Sequence, residues 1–549
     1  MAALTREAAI EQVTGPGGPL EVGVEQVQGH PLPVYTGRSR ALRDMLLDSA
    51  KYGDTEYLIC DGLRLTYTEN LRRVTALSHA FKDEYGLGKG DRVAILAANS
   101  AEWIMSFWAA TSLGAVVVGM NAFWSRAEIE YGLDHSEPKI LIADTRRREN
   151  IGTMAADRGI PMLSIEEDIV RLATEPGAPA ELPAVEIDED DAAVILYTSG
   201  TTGRPKGAVH SHRNVIAAAD FFRFNDELMA AFGRPRTMRN YLMTSPLFHI
   251  AGLHNLSVPR LVAGDTLTIY TGRFEVDRVL RVIEAERIES WGAVPTMASR
   301  LVERGDLSGY DLSSLKTISL GSAPSSVELK EKLRKLIPAV AQSLGTNYGQ
   351  TECSTAATFA TAADLEADPT TVGKAIQNVE VVVMDTAGAI VPDGVEGEIC
   401  VRGAQVMLGY WNNPEATAEA IDAAGWLHTG DLGTMRDGYL TISSRRSDLI
   451  LRGGENVYPV EIENALATHP RVLEAAVVGL EHHDLGEEVG ALVVLDAADA
   501  AGGEELCAHL AEQIAKYKIP TKWRFTTELL PRNATGKVIR HGLDELITN

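Results

Sequence analysis

Residues 192–207 read Ala-Ala-Val-Ile-Leu-Tyr-Thr-Ser-Gly-Thr-Thr-Gly-Arg-Pro-Lys-Gly. The opening apolar run has the length of a buried strand. From Tyr197 to Gly207 it gives way to hydroxyls and glycines closed by Arg204 and Lys206. Glycine lets a backbone approach a ligand closely, hydroxyls donate hydrogen bonds, and Lys206 adds a point charge. That is an inventory for holding polyphosphate. The spacing is not that of a Walker A loop. A loop of this kind straight after a strand implies α/β layers, where ligand sites gather at the C-terminal ends of parallel strands.

Outward from that loop the alternation continues. Leu63–Tyr67 reads as a strand, and Leu71, Val74, Leu77, Ala80 and Phe81 then recur with helical period. The stretch 89–100 gives a turn, a buried strand and a polar exit, and 194–197, 266–270 and 317–320 are further short apolar runs. Residues 1–36, with GPGGP and PLP, read as an irregular leader. Trp103 to Ser125 carries no charge, but its polar residues and Gly114 favour a helix followed by a short buried strand over a membrane span. From about 380 to 443 strand-like runs alternate with turns, a small β-rich subdomain. The expected organisation is an N-terminal domain over 1–443, a hinge at 444–447 and a mobile C-terminal α+β domain over 448–549.

The 549 residues carry 51 Lys+Arg against 76 Asp+Glu, a net charge of −25, with 45% hydrophobic and 23% charged residues. These are globular values, and the acidic balance argues against nucleic acid as a partner. Cys60, Cys353, Cys400 and Cys507 lie far apart without metal or redox spacing, so free thiols in a reducing, cytoplasmic setting are expected. The N-terminus lacks a basic start followed by an apolar run, so no signal peptide is expected. Between Lys516 and Arg540 seven basic residues stand against one acid, Glu528, a local island suited to drawing anions.

The loop Tyr197–Gly207 resembles the phosphate loop of the adenylate-forming superfamily, which includes the AMP-dependent acyl-CoA synthetases. Further motifs follow in that family's order: Pro246–His249, Gly321–Pro324, Asn347–Glu352, Trp426–Asp431, Ser444–Asp448, Gly453–Pro459 and Pro531–Lys537. The resemblance covers about residues 40–545. It implies a large α/β domain with a small mobile lobe. It also implies activation of a carboxylic acid (fatty, cyclic or aromatic) by ATP to an acyl-adenylate, then transfer to CoA.

Attack on the α-phosphorus concentrates charge on phosphoryl oxygens, so positioning and cationic clamping are what the chemistry needs. By the resemblance, Thr198, Ser199, Gly200, Thr201, Thr202, Gly203 and Lys206 hold the phosphates. Glu352, with the Thr198 hydroxyl, holds Mg²⁺, a hard cation suited to oxygen ligands. Gly321, Ser322, Ala323, Pro324, Asn347, Tyr348, Gly349, Gln350 and Thr351 form the adenine slot, where Tyr348 is placed to stack on the base. Asp431 and Arg445 take the ribose. Lys537 bridges acyl carboxylate and α-phosphate, favouring a transition state that shares their charge. His249 is a gate or wall between acyl and thiol channels, or a core histidine. A helix-start acid is the alternative for Glu352, and a turn aspartate capping its own backbone the alternative for Asp431.

Lys537 must leave before a thiol can enter, so the small lobe turns at a hinge whose position here is Ser447, where the family usually has Asp or Lys. The GGENVYP loop then enters the site. Gly252, Trp291–Val294, Gly321–Ala323 and Gly349 join His249 as pocket walls, the small residues at 292, 293, 321 and 323 leaving room for a chain or ring. His210-x-His212 lacks ligand company for a metal. Transfer to an amine, as in an amide bond synthetase, and a non-catalytic nucleotide sensor are the rival readings.

Overall fold

The computed structural model describes residues 4–198, 204–321, 327–445, 448–452, 455–483, 485–497, 502–532 and 537–548. Two mostly parallel sheets form the body. The first runs, by neighbours, Gly409–Tyr410, Lys206–Ser211, Ala192–Thr198, Val116–Gly119, Arg92–Leu96, Ile140–Ala143 and Met162–Ser164. Ala192–Thr198 and the four strands after it are parallel, whereas Lys206–Ser211 returns antiparallel with Lys206 opposite Thr198. The second sheet orders Thr317–Leu320, Ser290–Ala293, Asn240–Met243, Thr266–Ile269, Glu56–Cys60 and Leu63–Thr66.

Both strands expected around residue 190 and residue 318 therefore lie where their loops open at strand C-terminal ends. The uncharged stretch after Trp103 is a helix, Ala101–Thr111, then a fully buried strand, Val116–Gly119. Ser100 caps the helix by accepting from the Trp103 amide, and Gly114, at φ +70°, turns the chain toward the strand. Trp103, Phe107 and Trp108 are fully buried, each contributing about 1.5–3 kcal/mol of apolar burial. No helix among the described residues is long and apolar enough to cross a membrane.

An antiparallel sheet follows: Thr346–Tyr348, Thr358–Ala360, Thr371–Ala375, Tyr439–Arg445, Leu427–Arg436, Glu396–Gly403 and Val379–Met384. It reaches further back along the chain than the stretch from 380, because the motif strand Thr346–Tyr348 joins its edge. The small lobe is a sheet of Glu455–Val457, Ile450–Arg452, Gly486–Leu495, Val472–His482 and Lys522–Thr526, packed against helices Pro459–Ala467, Gly503–Ala511 and Leu543–Thr548.

The leader is not irregular. Thr5 caps a helix, Arg6–Thr14, and Val22–Val27 pairs with His30–Tyr35 through Gln28 and Gly29, both at positive φ. Those are the dihedrals of a tight hairpin turn. Pro31 and Pro33 are tolerated because this is a two-stranded ribbon with open edges. Buried Arg38 locks the ribbon down through ion pairs to Glu25 and Glu189. Glu25 is held down to about 2 by its hydrogen bonds to Arg38 and Arg40. The four cysteines are free thiols.

Candidate functional site

The phosphate loop springs from the end of strand Ala192–Thr198 and returns as Lys206–Ser211. Ser199, Gly200, Thr201, Thr202 and Gly203 lie outside the described residues. Its two ends are described: Thr198 donates its hydroxyl to the Lys206 carbonyl at 3.4 Å. The Lys206 ammonium sits 5.0 Å from the centroid of the Tyr410 ring, a cation over a π face. Tyr410 in turn donates its hydroxyl to Glu352 Oε1 at 2.7 Å, and the Met407 amide donates to the Glu352 carbonyl at 2.9 Å. One line of contacts thus joins Thr198, Lys206, Tyr410 and Glu352.

Tyr410 was not marked by the sequence. Its two-residue strand, Gly409–Tyr410, pairs with Val209 and Ala208, and only the aromatic pair in GYWNN hinted at it. Glu352 sits on a 3₁₀ turn, Thr351–Cys353, rather than at an α-helix start. Gly349 leads into that turn; a Cβ there would lie 2.3 Å from the Thr355 carbonyl oxygen. Gly252 is similarly pressed against the Pro246 carbonyl, at 2.2 Å, and at Gly292 a Cβ would meet Leu256 at 3.1 Å. Close backbone approach is what requires glycine at 252 and 349.

Tyr348 donates its hydroxyl to Asp431 Oδ2 at 2.7 Å. Arg445, opposite Asp431 in the strand register, approaches its other oxygen at 3.5 Å. Burial raises the Asp431 carboxyl above its ordinary value, with Arg445, Tyr348 and Lys537 opposing. Asn347 and Gly349 are exposed, Gln350 and Thr351 half-buried. Gly321 caps its strand by donating to the Ala293 carbonyl at 3.2 Å, while Ser322, Ala323 and Pro324 lie outside the described residues.

Lys537 comes from the other lobe, next to Val538, which bridges antiparallel to Arg532. The charges acting on it are those of Arg445, Asp431 and Glu352, and it acts on His249. Burial lowers its ammonium, with Arg445 adding to the effect and the two carboxylates opposing. The residue is nonetheless exposed to solvent. His249 packs its ring on Phe248 at 4.7 Å. Burial pulls it down to about 4, so it is neutral at working pH.

The hinge residue Ser447, with Arg446, lies outside the described residues, as do Gly453 and Gly454 of the GGENVYP loop and Asn533–Gly536 beside Lys537. Tyr458, which ends the GGENVY stretch, donates its hydroxyl across the lobes to Glu396 Oε1. Three of the seven cations of the basic island are spent inside the small lobe: Lys518 pairs with Glu461, Arg532 with Glu474, and Arg540 with Glu463 and Asp448. Its value as a lure for anions is correspondingly reduced.

Among the described residues no three His, Cys, Asp or Glu side chains gather as a metal cage. The donors here are a carboxylate and a hydroxyl, hard oxygens suited to a cation that shares its shell with phosphate and water.

Comparison with known proteins matches residues 47–411 to the AMP-binding enzyme family and 461–537 to the AMP-binding enzyme C-terminal domain. A feruloyl-CoA synthase of Amycolatopsis is 33% identical over 480 residues, covering 87% of this chain and 93% of that one. A long-chain-fatty-acid–CoA ligase of Mycobacterium tuberculosis is 33% identical over 492 residues, covering 88% and 93%. The crystal structure of ATP-bound MatB from Rhodopseudomonas palustris superposes with a TM-score of 0.83 at 31% identity, covering 92% and 98%.

Proposed function

The chain belongs to the AMP-binding enzyme family and is an AMP-forming acid–CoA ligase; from that premise we propose which of its residues do the work. ATP lies with its β- and γ-phosphates against the 198–206 loop, its ribose on Asp431 and Arg445, and its adenine in the slot from Gly321 and Asn347–Gln350. Tyr348 serves that slot mainly by orienting Asp431, since its hydroxyl is already committed there. The acid enters beside His249, which stays neutral and takes no proton from it.

The acid carboxylate attacks the α-phosphorus in line and pyrophosphate leaves. Lys537 spans the two anions, offsetting their repulsion and stabilising the charge that grows on the phosphoryl oxygens. Glu352 and the Thr198 hydroxyl would hold Mg²⁺, which neutralises phosphate charge when bound. Tyr410 keeps the Glu352 carboxylate aimed by occupying its other side. The small lobe, residues 448–549, then turns at 444–447, withdraws Lys537 and admits the CoA thiol to the acyl carbonyl; AMP leaves.

The observation that carries this reading is the pairing of Lys537, from one lobe, with the field of Glu352, Asp431 and Arg445, from the other. A cation so placed is superfluous for binding alone. Four free thiols fit a cytoplasmic enzyme. The relatives' names point to aryl and long-chain alkyl acids as the first to try. The test is a panel of cinnamic, benzoic and C6–C18 alkanoic acids, scored for pyrophosphate release with and without CoA and for product mass. Acid-dependent release with acyl-CoA formed only when CoA is present is expected. Nucleotide binding without release from any acid would overturn the reading.

A further inference from the structure

Two buried histidines that no step above uses brace the turn carrying Glu352. His210 lies on strand Lys206–Ser211, and His254 on a π-helical turn, Leu253–Ser257. Such turns are concentrated at functional sites. The rings meet edge to face, 5.0 Å between centroids at 85°, and both are fully buried. His210 Nδ1 lies 2.8 Å from the Ser354 hydroxyl oxygen. The backbone of Thr351 faces the His210 ring, and that of Ser354 faces His254.

Ser354 has φ +58° and ψ −33°, a region that L-residues other than glycine rarely occupy and that persists only when its surroundings hold it. The next residue, Thr355, donates its hydroxyl to Asn255 at 2.6 Å, and Asn255 follows His254 on the same π-helical turn. Nε2 of His210 and both ring nitrogens of His254 are buried, and what these rings face is the backbone of the turn itself. Burying them so is unfavourable, and an apolar pair would fill the space without that cost. Packing alone therefore does not account for two imidazoles here. What they do provide is polar contact with the turn, above all the bond of His210 to the strained residue two positions after Glu352.

We propose that His210, seated by His254, is a positioning residue: through Ser354 it holds the turn 351–355 in its strained form, so that the Glu352 carboxylate points at the ATP phosphates and the divalent cation they bring. Tyr410 restrains the carboxylate from one side; His210 fixes the backbone from which that carboxylate extends. The proposal rests on the reading of Glu352 as the cation's carboxylate ligand.

The test needs no acid substrate. Mn²⁺ affinity is measured by electron paramagnetic resonance on the full chain saturated with α,β-methylene-ATP. Glu352→Gln sets the scale and is expected to weaken Mn²⁺ by more than about tenfold, and His210→Phe and Ser354→Ala by about tenfold, the usual order for a partner that orients a metal ligand. Ser354→Gly is expected to lose less, because glycine accepts that φ without strain. The double variant His210→Phe/Ser354→Ala should bind Mn²⁺ no more weakly than Ser354→Ala alone, since both remove the same tie.

Wild-type affinity in His210→Phe and Ser354→Ala, alongside a weakened Glu352→Gln, overturns the proposal and leaves the Glu352 reading standing. Unchanged affinity in Glu352→Gln overturns both. A lowered melting temperature with unchanged affinity assigns the pair a structural role only, against the proposal. If His210→Phe does not fold, Ser354→Ala, a change of one oxygen atom, decides.

Discussion

On the large lobe each acid of the site is gripped by a tyrosine: Tyr410 holds Glu352 and Tyr348 holds Asp431, both at 2.7 Å. On the small lobe the charge that meets them, Lys537, stands beside the Arg532–Val538 bridge, and Tyr458 reaches across to Glu396. In the proposed reaction one wall stays and the other leaves. The difference matches a two-step reaction in which nucleotide contacts persist while the bridging cation must withdraw.

The sharpest way to break this contrast is Lys537→Ala. Adenylation should fall by at least about 10²–10³-fold, as when one preorganised charge-stabilising donor is removed. Thioester formation from a supplied acyl-adenylate should persist, because Lys537 has left by then; single-turnover assays of each half-reaction read the split, and equal loss in both would break the division of labour. Tyr348→Phe removes one hydrogen bond of about 1–1.5 kcal/mol. The KM for ATP should rise about five- to tenfold by the same figure, with kcat little changed, in steady-state assays; a pure kcat effect would contradict a role in seating the ribose carboxylate.

Tyr458→Phe should be milder still. Losing its bond to Glu396 favours departure of the small lobe, so adenylation slows a few-fold while thioester formation holds or quickens, a shift of population by about 1 kcal/mol. Slowing of both steps would mean the bond is not a latch.

The smallest effect concerns stability, and again sets the large lobe apart. His212 and His249 are pulled down to about 4 and His254 to about 3, all by burial, with His210 lowered in the same direction. Their unfolded counterparts take a proton near pH 6.5, so the unfolded chain binds more protons below that value. Stability is therefore full above about pH 6.5 and is lost as pH falls toward 4. Calorimetry should show the melting temperature dropping by several degrees between pH 7 and 5; a flat profile would say the rings are hydrated.

Much of this was legible beforehand. The helix 101–111 and the strand at 116 announced themselves through charge-free apolar residues broken at Gly114, and the order of motifs from Tyr197 to Lys537 carried the family. The hairpin leader was misread because GPGGP and PLP look alike as punctuation, whereas Gln28 and Gly29, the residues that turn the chain, carry no apolar period. His210-x-His212 has no metal-ligand company in sequence, and nothing local to it announces the contact with Ser354.

Local pattern settles local conformation: period, caps and turn residues act over a few neighbours, so strands, helices and the glycine-hydroxyl loop follow from the chain as written. Which side chains face one another follows from packing between segments far apart in sequence. Tyr410 reaches Glu352 across 58 residues, Tyr348 reaches Asp431 across 83, and Ser354 reaches His210 across 144. Those meetings are fixed by the sum of many weak contacts distributed over whole sheets, which no stretch of sequence expresses on its own, and only the assembled tertiary structure decides them.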